Sequence, residues 1–170
     1  AKAGSGHLGG SLGMADIFTV LYFNELKHDP LQPDWELRDR VIVSNGHIAP
    51  VWYATLSNAG YFSKKELFSL RQFGSRLQGH PSRLSGLPGI ESSSGSLGQG
   101  LSVAVGMALA AKFFQSNYRV FCLMGDGELQ EGNVWEAFMS AGHYKLDNLL
   151  AIVDRNKLQI DGNTEEVMSL

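Results

Sequence analysis

The chain has 170 residues, of which 44% are hydrophobic and 18% are charged, and its formal net charge is −3. This length suggests a single domain with a sizeable core, and the composition is typical of a globular protein rather than a disordered one. The slightly acidic balance offers no basic footprint for nucleic acid. Residues 103–111 form the longest apolar stretch, which is too short to span a bilayer. We therefore expect neither a nucleic-acid-binding nor a membrane protein.

Cys122 is the only cysteine, and it lies inside the apolar run Val120–Met124. We predict a buried core thiol, and a single cysteine cannot form a disulfide within the chain. This use of cysteine fits a reducing compartment, so we expect a cytoplasmic location. The sequence opens with Ala1 rather than Met, and we expect N-terminal residues to be missing.

Helical and extended patterns alternate along the chain, which predicts an α/β fold with a mostly parallel sheet. A Gly-, Ser- and Pro-rich segment without a regular period interrupts the alternation, and long irregular segments in compact domains are often functional. The predicted elements in chain order are a glycine-rich loop at 4–13, a helix from about Met14 to Asn24, a strand at Val41–Val43, a helix from about Ala49 to Ala59 that Gly60 ends, a helix opened by a capping box at Ser63–Glu66, the irregular segment at 74–100, a helix from there to about Gln115, and a strand, helix and strand within 120–154.

Two apolar runs lead into residues with short oxygen-bearing side chains. Val120–Met124 is followed by Asp126, and Leu149–Val153 is followed by Asn156, with a helix-length segment between the runs. Both runs predict buried strands, so we predict a βαβ unit that brings Asp126 and Asn156 to one edge of a parallel sheet. Oxygen ligands at such an edge suit a hard cation such as Mg²⁺, which commonly holds a diphosphate.

Gly125 and Gly127 flank Asp126 and favour close approach by a ligand, although Asp126 could simply cap the helix that follows. A helix N-terminus contributes roughly 0.3–1 kcal/mol to holding an anion near the surface, which is too little for a diphosphate. A divalent cation must supply most of the charge compensation. This reasoning selects Asp126 and Asn156 as metal ligands.

Three histidines, His7, His47 and His80, each follow a glycine in a predicted loop. A single loop histidine is usually only a solvated side chain. Three Gly-His pairs indicate a functional role, because glycine lets a ligand approach the backbone beside a titratable ring. None of the three shares the short helical spacing of a zinc-binding pair.

Two familiar binding motifs match only in part. Gly4–Gly9 fits G-x-G-x-x-G, but a dinucleotide fingerprint needs a strand directly before it, and only three residues precede Gly4. The run that starts at Asp154 begins like an EF-hand loop but lacks its glycine and its next acid.

Taken together, the motifs resemble the transketolase family over essentially the whole chain. Gly125-Asp126-Gly127 with Asn156 downstream resembles the thiamine diphosphate signature of that family. The other matching segments, in the family's order, are Ser5–His7, Ser44–His47, Gly95–Gly100, Glu128–Gly132, Trp135–Ala137 and Asp154–Lys157. Ser96 stands where the family often has proline, a change in backbone stiffness. The length of the chain and the sequence of these segments are most similar to the amino-terminal subunit of split transketolases.

The resemblance implies a thiamine diphosphate-binding fold, a mostly parallel sheet flanked by helices on both faces, with thiamine diphosphate and Mg²⁺ or Ca²⁺ as cofactors. It implies that His7, His47 and His80 are catalytic, with His7 and His80 facing the substrate hydroxyls and assisting proton transfer. The other implied site residues are Asp126, Asn156 and the Leu158 carbonyl for the metal, His47, Gly95, Leu97, Gly127, Glu128 and Asn156 for the cofactor, and Glu131 and Glu136 for a carboxylate network at a subunit interface. Gly127 and Glu128 are expected to act through their backbone.

The implied reaction is transfer of a two-carbon ketol unit from a ketose phosphate to an aldose phosphate, as in the pentose phosphate pathway. We expect residues 1–170 to form a diphosphate-binding domain that is incomplete at both ends and lacks the pyrimidine-binding domain. A carboxy-terminal transketolase subunit would supply that domain in a homo- or hetero-oligomer.

Three alternatives stay open. A 1-deoxy-D-xylulose-5-phosphate synthase has a similar opening glycine–histidine segment, although the sequence at Gln130–Gly132 and Trp135–Ala137 favours transketolase. A non-catalytic interaction subunit would bind no cofactor. A nucleotide-binding α/β domain would bind nucleotide without magnesium-dependent thiamine diphosphate binding.

Overall fold

The computed structural model describes residues 3–170 in two compact units. The first unit runs through Asp39 and resumes at Gly46–Gly95, and the second is formed by Arg40–Asn45 and Ser96–Leu170. The first unit contains the helices α1 (Leu8–Gly13), α2 (Ala15–Val20) and α3 (Ala49–Ala59). The second unit contains β1 (Arg40–Val43), α4 (Gly100–Phe113), β2 (Val120–Gly125), α5 (Gly132–His143), β3 (Leu149–Asp154), β4 (Leu158–Gln159), β5 (Gly162–Asn163) and α6 (Thr164–Val167).

The second unit is built on a parallel sheet in the order β1-β2-β3, so the predicted α/β class and βαβ unit are confirmed. Residues Val120–Met124 of the central strand are all buried, the continuous apolar pattern of a strand inside a parallel sheet. Helix α4 packs against all three strands and presents Leu101, Ala104 and Ala108 to their core. Cys122 lies in this core, as predicted, and burial raises the pKa of its thiol.

The prediction of a second buried strand was right in its position, since the observed strand Leu149–Asp154 extends only past Val153, but it was wrong in its burial. In β3 the side chain of Leu150 is 52% exposed and Ala151 is also exposed. The reason is position, because β3 is the edge strand of this sheet and pairs only with β2 among the described residues. An apolar run predicts a strand but not how many neighbours the strand has.

The glycine-rich opening was predicted as a loop, but Leu8–Gly13 forms α1. Gly10 in this helix allows close packing, because a Cβ at that position would lie 2.9 Å from Cγ2 of Ile48. The helix predicted from about Met14 is observed as α2 and continues as a π-helical turn at Leu21–Glu25. Packing against neighbouring elements therefore overrides the low helix propensity of glycine here.

The capping box at Ser63–Glu66 does not open an α-helix. Lys64–Ser69 forms a 3₁₀ helix, in which the Ser63 hydroxyl accepts a hydrogen bond from Lys65 N at 3.4 Å. The Glu66 carboxylate turns instead to Arg76, with 2.5 Å between Oε1 and Nε. In a capping box the glutamate side chain turns back to the N–H of the N-cap residue. Here Arg76 binds the Glu66 side chain instead, so the motif does not form.

Helix α3 and its termination at Gly60 match the prediction, and Gly60 has the left-handed φ of 100° that favours glycine after a helix. Residues 74–99 are irregular apart from a short 3₁₀ turn at Arg83–Ser85, also as predicted. No helix within residues 3–170 is both long enough and apolar enough to cross a membrane.

Candidate functional site

The carboxyl ends of β2 and β3 meet at one edge of the sheet in the second unit. Gly125 lies opposite Asp154 in the strand register, and Asp126 N donates to the Asp154 carbonyl at 3.1 Å. The residues that follow the two strands, Asp126 and the segment 155–158, therefore lie side by side. This is the arrangement that the βαβ pattern predicts.

The Asp126 carboxylate is buried at this edge, with 1% of the residue exposed. Its Oδ1 accepts from Gly127 N at 2.9 Å. Its Oδ2 accepts from Lys157 N at 2.7 Å and from Arg155 Nη1 at 2.6 Å, and the latter contact is an ion pair. The sequence analysis missed Arg155, whose charge beside an expected metal ligand was the available signal.

Asn156 lies between the two residues that contact Asp126, and it is exposed. Its Oδ1 accepts from Leu158 N at 2.9 Å and its Nδ2 donates to Asp154 Oδ2 at 2.9 Å. Leu158 lies in β4, opposite Asn163, with its side chain exposed. Asn156 thus lies in the segment whose two flanking residues contact the buried Asp126 carboxylate, and the ligand roles of these residues stay predictions.

The donors at this edge fit a hard cation. Among residues 3–170, no three His, Cys, Asp or Glu side chains cluster as a metal site, but an Asp–Asn–carbonyl set has only one member of that group. Asp126 Oδ1 has a single donor among the described residues and can accept a further partner. The buried Asn45 Oδ1 has no hydrogen-bond partner among residues 3–170, and the Asn45 amide group lies beside Gly125. Oxygen atoms that can accept a further partner are the ligands that Mg²⁺ and Ca²⁺ prefer.

Glu128 is the most buried carboxylate beside this edge apart from Asp126, and its side chain is part of a network that the sequence analysis did not find. Its Oε1 accepts from the Ser44 hydroxyl and from Gly98 N at 2.6 Å, and its Oε2 accepts from Gly125 N at 3.4 Å. Burial raises the pKa of Glu128, and the hydrogen bonds from Ser44, Gly98 and Gly125 oppose that shift. Because Glu128 is predicted to contact the diphosphate through its backbone, its side chain can form this hydrogen-bond network.

The glycine segment that leads into α4 is held by the same network. Gly100 N donates to Ser44 Oγ at 2.9 Å. A Cβ on Gly98 would lie 2.6 Å from Asn133 Oδ1, and Gly98 has a φ of +80°. Leu97, a predicted cofactor contact, is 38% exposed at the start of this segment. The glycines are therefore required by close approach of neighbouring side chains.

The first unit brings its three Gly-His histidines together. The rings of His7 and His47 lie edge to face with their centroids 5.1 Å apart. A Cβ on Gly95 would lie 3.4 Å from the ring of His80, and one on Gly46 would lie 2.9 Å from Gly95 N. Gly95 is therefore close to both the His80 ring and the residue that precedes His47.

The cluster lowers the basicity of two of its rings. Burial, followed by the charges of His7 and His80, holds the pKa of His47 below its ordinary value. Burial, followed by the charges of His7 and Arg71, does the same for His80. A neutral imidazole can take up a proton and, once protonated, return it, which is the chemistry that general acid–base catalysis needs.

Glu131 and Glu136 lie at the start of α5 and are both exposed. Exposure is compatible with the interface role that the resemblance implies, and that role stays a prediction. Trp135 lies between them, 53% exposed, with its indole N–H donating to the Leu129 carbonyl at 2.8 Å.

Comparisons with known proteins agree with the motifs. The family model described as "Transketolase, thiamine diphosphate binding domain" matches residues 1–169. Over 169 residues, 99% of this chain, the sequence is 50% identical to an apulose-4-phosphate transketolase subunit of Phocaeicola vulgatus, covering 59% of that protein. It is 45% identical to 6-deoxy-6-sulfo-D-fructose transketolase subunit SqwG of a Clostridium species, covering 99% of this chain and 61% of that protein.

Solved structures show the same fold. The transketolase of Campylobacter jejuni matches with a TM-score of 0.94 at 42% identity, over 99% of this chain and 28% of that one. The transketolase of Leishmania mexicana matches with a TM-score of 0.93 at 40% identity, over 99% of this chain and 27% of that one. The chain thus spans about three fifths of the subunits and about a quarter of the full transketolases. The predicted thiamine diphosphate-binding fold is confirmed, and the chain belongs to the transketolase family, in which it corresponds to the thiamine diphosphate-binding domain.

Proposed function

We propose that this chain is the diphosphate-binding part of a transketolase that transfers a two-carbon ketol unit from a ketose phosphate to an aldose phosphate. The observation that carries the proposal is the buried Asp126 carboxylate at the sheet edge, next to Asn156 and with acceptor capacity left on Oδ1. A buried carboxylate beside a further oxygen ligand suits a divalent cation, and the cation in turn suits a diphosphate.

Thiamine diphosphate, when bound, supplies the electron sink that lets the bond beside a ketose carbonyl break. The proposed metal ligands of this chain are Asp126, Asn156 and the Leu158 carbonyl, with Mg²⁺ or Ca²⁺ as the ion. Backbone groups of Gly127 and Glu128 are proposed to hold the diphosphate, and Gly95, Leu97 and His47 to contact the cofactor.

The three Gly-His histidines of the first unit, His7, His47 and His80, are proposed to move protons in the reaction. The lowered pKa values of His47 and His80 favour neutral rings near neutral pH, so each ring can take up a proton and return it. His7 contacts the His47 ring and is proposed to share this task.

The substrates are proposed to be sugars that carry an anionic group. Two relatives are named for apulose-4-phosphate and for 6-deoxy-6-sulfo-D-fructose, so the family includes subunits that act on different anionic ketoses. A sugar phosphate of the pentose phosphate pathway is our first candidate for this chain, in the cytoplasm.

A partner is proposed because two relatives are named as subunits. A carboxy-terminal subunit with the pyrimidine-binding domain is proposed to complete a composite active site in a homo- or hetero-oligomer. Glu131 and Glu136, both exposed, are proposed to lie at its interface.

The decisive experiment is a calorimetric titration of thiamine diphosphate with Mg²⁺ into the full chain, with and without a candidate carboxy-terminal subunit. Asp126→Ala is expected to abolish magnesium-dependent binding, whereas Asp161→Ala, at an exposed aspartate of the same unit, is expected to bind as the parent does. Equal binding by Asp126→Ala would show the metal assignment to be wrong. A ketol-transfer assay and a condensation assay with pyruvate and glyceraldehyde phosphate then separate transketolase from the synthase, and inactivity in both indicates an interaction subunit.

A further inference from the structure

Arg155 connects the Asp126 carboxylate to the segment that follows the sheet. Its Nη1 donates to Asp126 Oδ2 at 2.6 Å and to Thr164 Oγ1 at 2.9 Å, and its Nη2 donates to Glu165 Oε1. Thr164 is fully buried, and its N–H donates to the Lys157 carbonyl at 3.0 Å. The guanidinium is therefore fixed on two sides, by Asp126 and by the start of α6.

These contacts treat the two oxygens of Asp126 differently. Oδ2 accepts two hydrogen bonds, from Lys157 N and Arg155 Nη1, which uses the usual acceptor capacity of a carboxylate oxygen. Oδ1 accepts one, from Gly127 N. The rotation of the carboxylate is thereby set, and Oδ1 is the oxygen with room for another partner.

We propose that Arg155 is a positioning residue, which holds Asp126 so that Oδ1 binds the divalent cation, and that Thr164 and Glu165 hold Arg155. This inference rests on the proposed function and assigns a task to a residue that the metal-ligand set does not include. Groups that orient a metal ligand in this way commonly change metal affinity by about 10–100-fold when they are removed.

The positive charge of Arg155 beside a cation site would by itself oppose metal binding. The Glu165 carboxylate pairs with the other end of the guanidinium and offsets that charge. Orientation and repulsion therefore predict opposite results. Arg155→Met keeps much of the side-chain length, removes the hydrogen bonds, and weakens metal binding if orientation dominates but tightens it if repulsion dominates.

The test measures Mn²⁺ binding to the full chain by water-proton relaxation, at saturating thiamine diphosphate, with the candidate carboxy-terminal subunit present. We expect Arg155→Met to raise the Kd for Mn²⁺ about 10–100-fold. Arg155→Lys keeps one charged donor and is expected to lie between Arg155→Met and the parent. Glu165→Gln, which removes one of the two carboxylates that pair with Arg155 and leaves Asp126 as the other, is expected to weaken binding less than Arg155→Met does. Glu166→Gln, at an exposed glutamate next to Glu165, is the control and is expected to bind as the parent does.

The possible failures are distinct. If the parent binds Mn²⁺ and Arg155→Met binds it equally well or more tightly, the positioning role is overturned while the proposed function stands. If the parent binds no Mn²⁺, the proposed function fails and the positioning role falls with it. Arg155→Lys and Glu165→Gln keep the test decisive if Arg155→Met does not fold, because unchanged affinity in both also overturns the role.

Discussion

Ser44 and Glu128 share a hydrogen bond in the interior of the second unit, although 84 positions separate them in the chain. The Ser44 hydroxyl accepts from Gly100 N, so its own proton is directed to Glu128 Oε1. Ser44 follows β1, and Glu128 lies in the turn after β2. A single buried carboxylate thereby connects the ends of two neighbouring strands with the start of α4.

Replacing Glu128 with glutamine is expected to destabilise the chain. Both carboxylate oxygens accept from donors, so either orientation of an amide would direct its NH₂ group at a backbone N–H. A buried donor without an acceptor costs about 1–3 kcal/mol, and we expect a loss of that size in the free energy of unfolding. Urea denaturation measures the loss, with Glu166→Gln as the exposed control. Equal stability of Glu128→Gln and the parent would mean that the network contributes nothing.

Gly100 and Gly106 lie in the same helix, and substitution by alanine is expected to have opposite effects at the two positions. A Cβ on Gly100 would lie 2.5 Å from Ser44 Oγ, whereas one on Gly106 would meet no atom within 4 Å. Overpacking costs typically about 1–3 kcal/mol, so Gly100→Ala is expected to lower the free energy of unfolding by that amount. Gly106→Ala is expected to raise it by about 0.4–1 kcal/mol. Thermal and urea unfolding of the two variants provide the comparison, and a stable Gly100→Ala would contradict the close approach.

What could be predicted from the sequence is what depends on neighbours along the chain. The continuous apolar runs at Val120–Met124 and Leu149–Val153 predicted two strands, and the helix length between them predicted parallel pairing. Parallel pairing in turn predicted that Asp126 and the segment around Asn156 lie at one edge. Each of these steps needs only local pattern and a rule of connection.

What could not be predicted depends on contacts between distant segments. The exposure of Leu150 follows from the edge position of β3, which its own pattern does not encode. The helical conformation of the first glycine-rich segment follows from the fit of Gly10 against Ile48. The roles of the Ser44 and Arg155 side chains follow from partners that only the folded chain brings near.

Lys157 has a left-handed φ of 64°, beside the predicted metal ligand Asn156. This conformation costs a residue with a Cβ roughly 1–2 kcal/mol, and it costs glycine nothing comparable. Lys157→Gly keeps the backbone N–H that donates to Asp126 Oδ2, but glycine also makes the unfolded chain more flexible. We therefore expect a net gain of no more than about 1 kcal/mol in the free energy of unfolding. Lys64→Gly, at an exposed lysine in a 3₁₀ helix, is expected to be neutral or destabilising. A clear loss of stability in Lys157→Gly would show that the lysine side chain has a role of its own.

The histidine cluster of the first unit is expected to make stability depend on pH. The pKa values of His47 and His80 are lower in the folded chain than the ordinary value of about 6.5, so the unfolded chain binds more protons as the pH falls through that value. Folding is therefore penalised below about pH 6.5, and the penalty grows until the pH reaches the lowered pKa values of the folded state. Above about pH 6.5 the rings are neutral in both states, and this source of pH dependence disappears.

His47→Gln tests this dependence, because it removes the ring whose pKa is lowered by burial and by two neighbouring histidines. The free energy of unfolding, measured in urea between about pH 5 and about pH 8, is expected to fall less steeply toward acid in the variant than in the parent. His143→Gln, which removes an exposed histidine from α5, controls for the loss of any imidazole and is expected to keep the slope of the parent. A slope that His47→Gln leaves unchanged would mean that the acid sensitivity arises elsewhere in the chain. The buried pair of Arg38 and Glu91 is not a candidate for its source. Because burial raises the pKa of Glu91 in the folded chain, protonation of this carboxyl makes folding more favourable, not less, as the pH falls toward the ordinary range of a carboxylate.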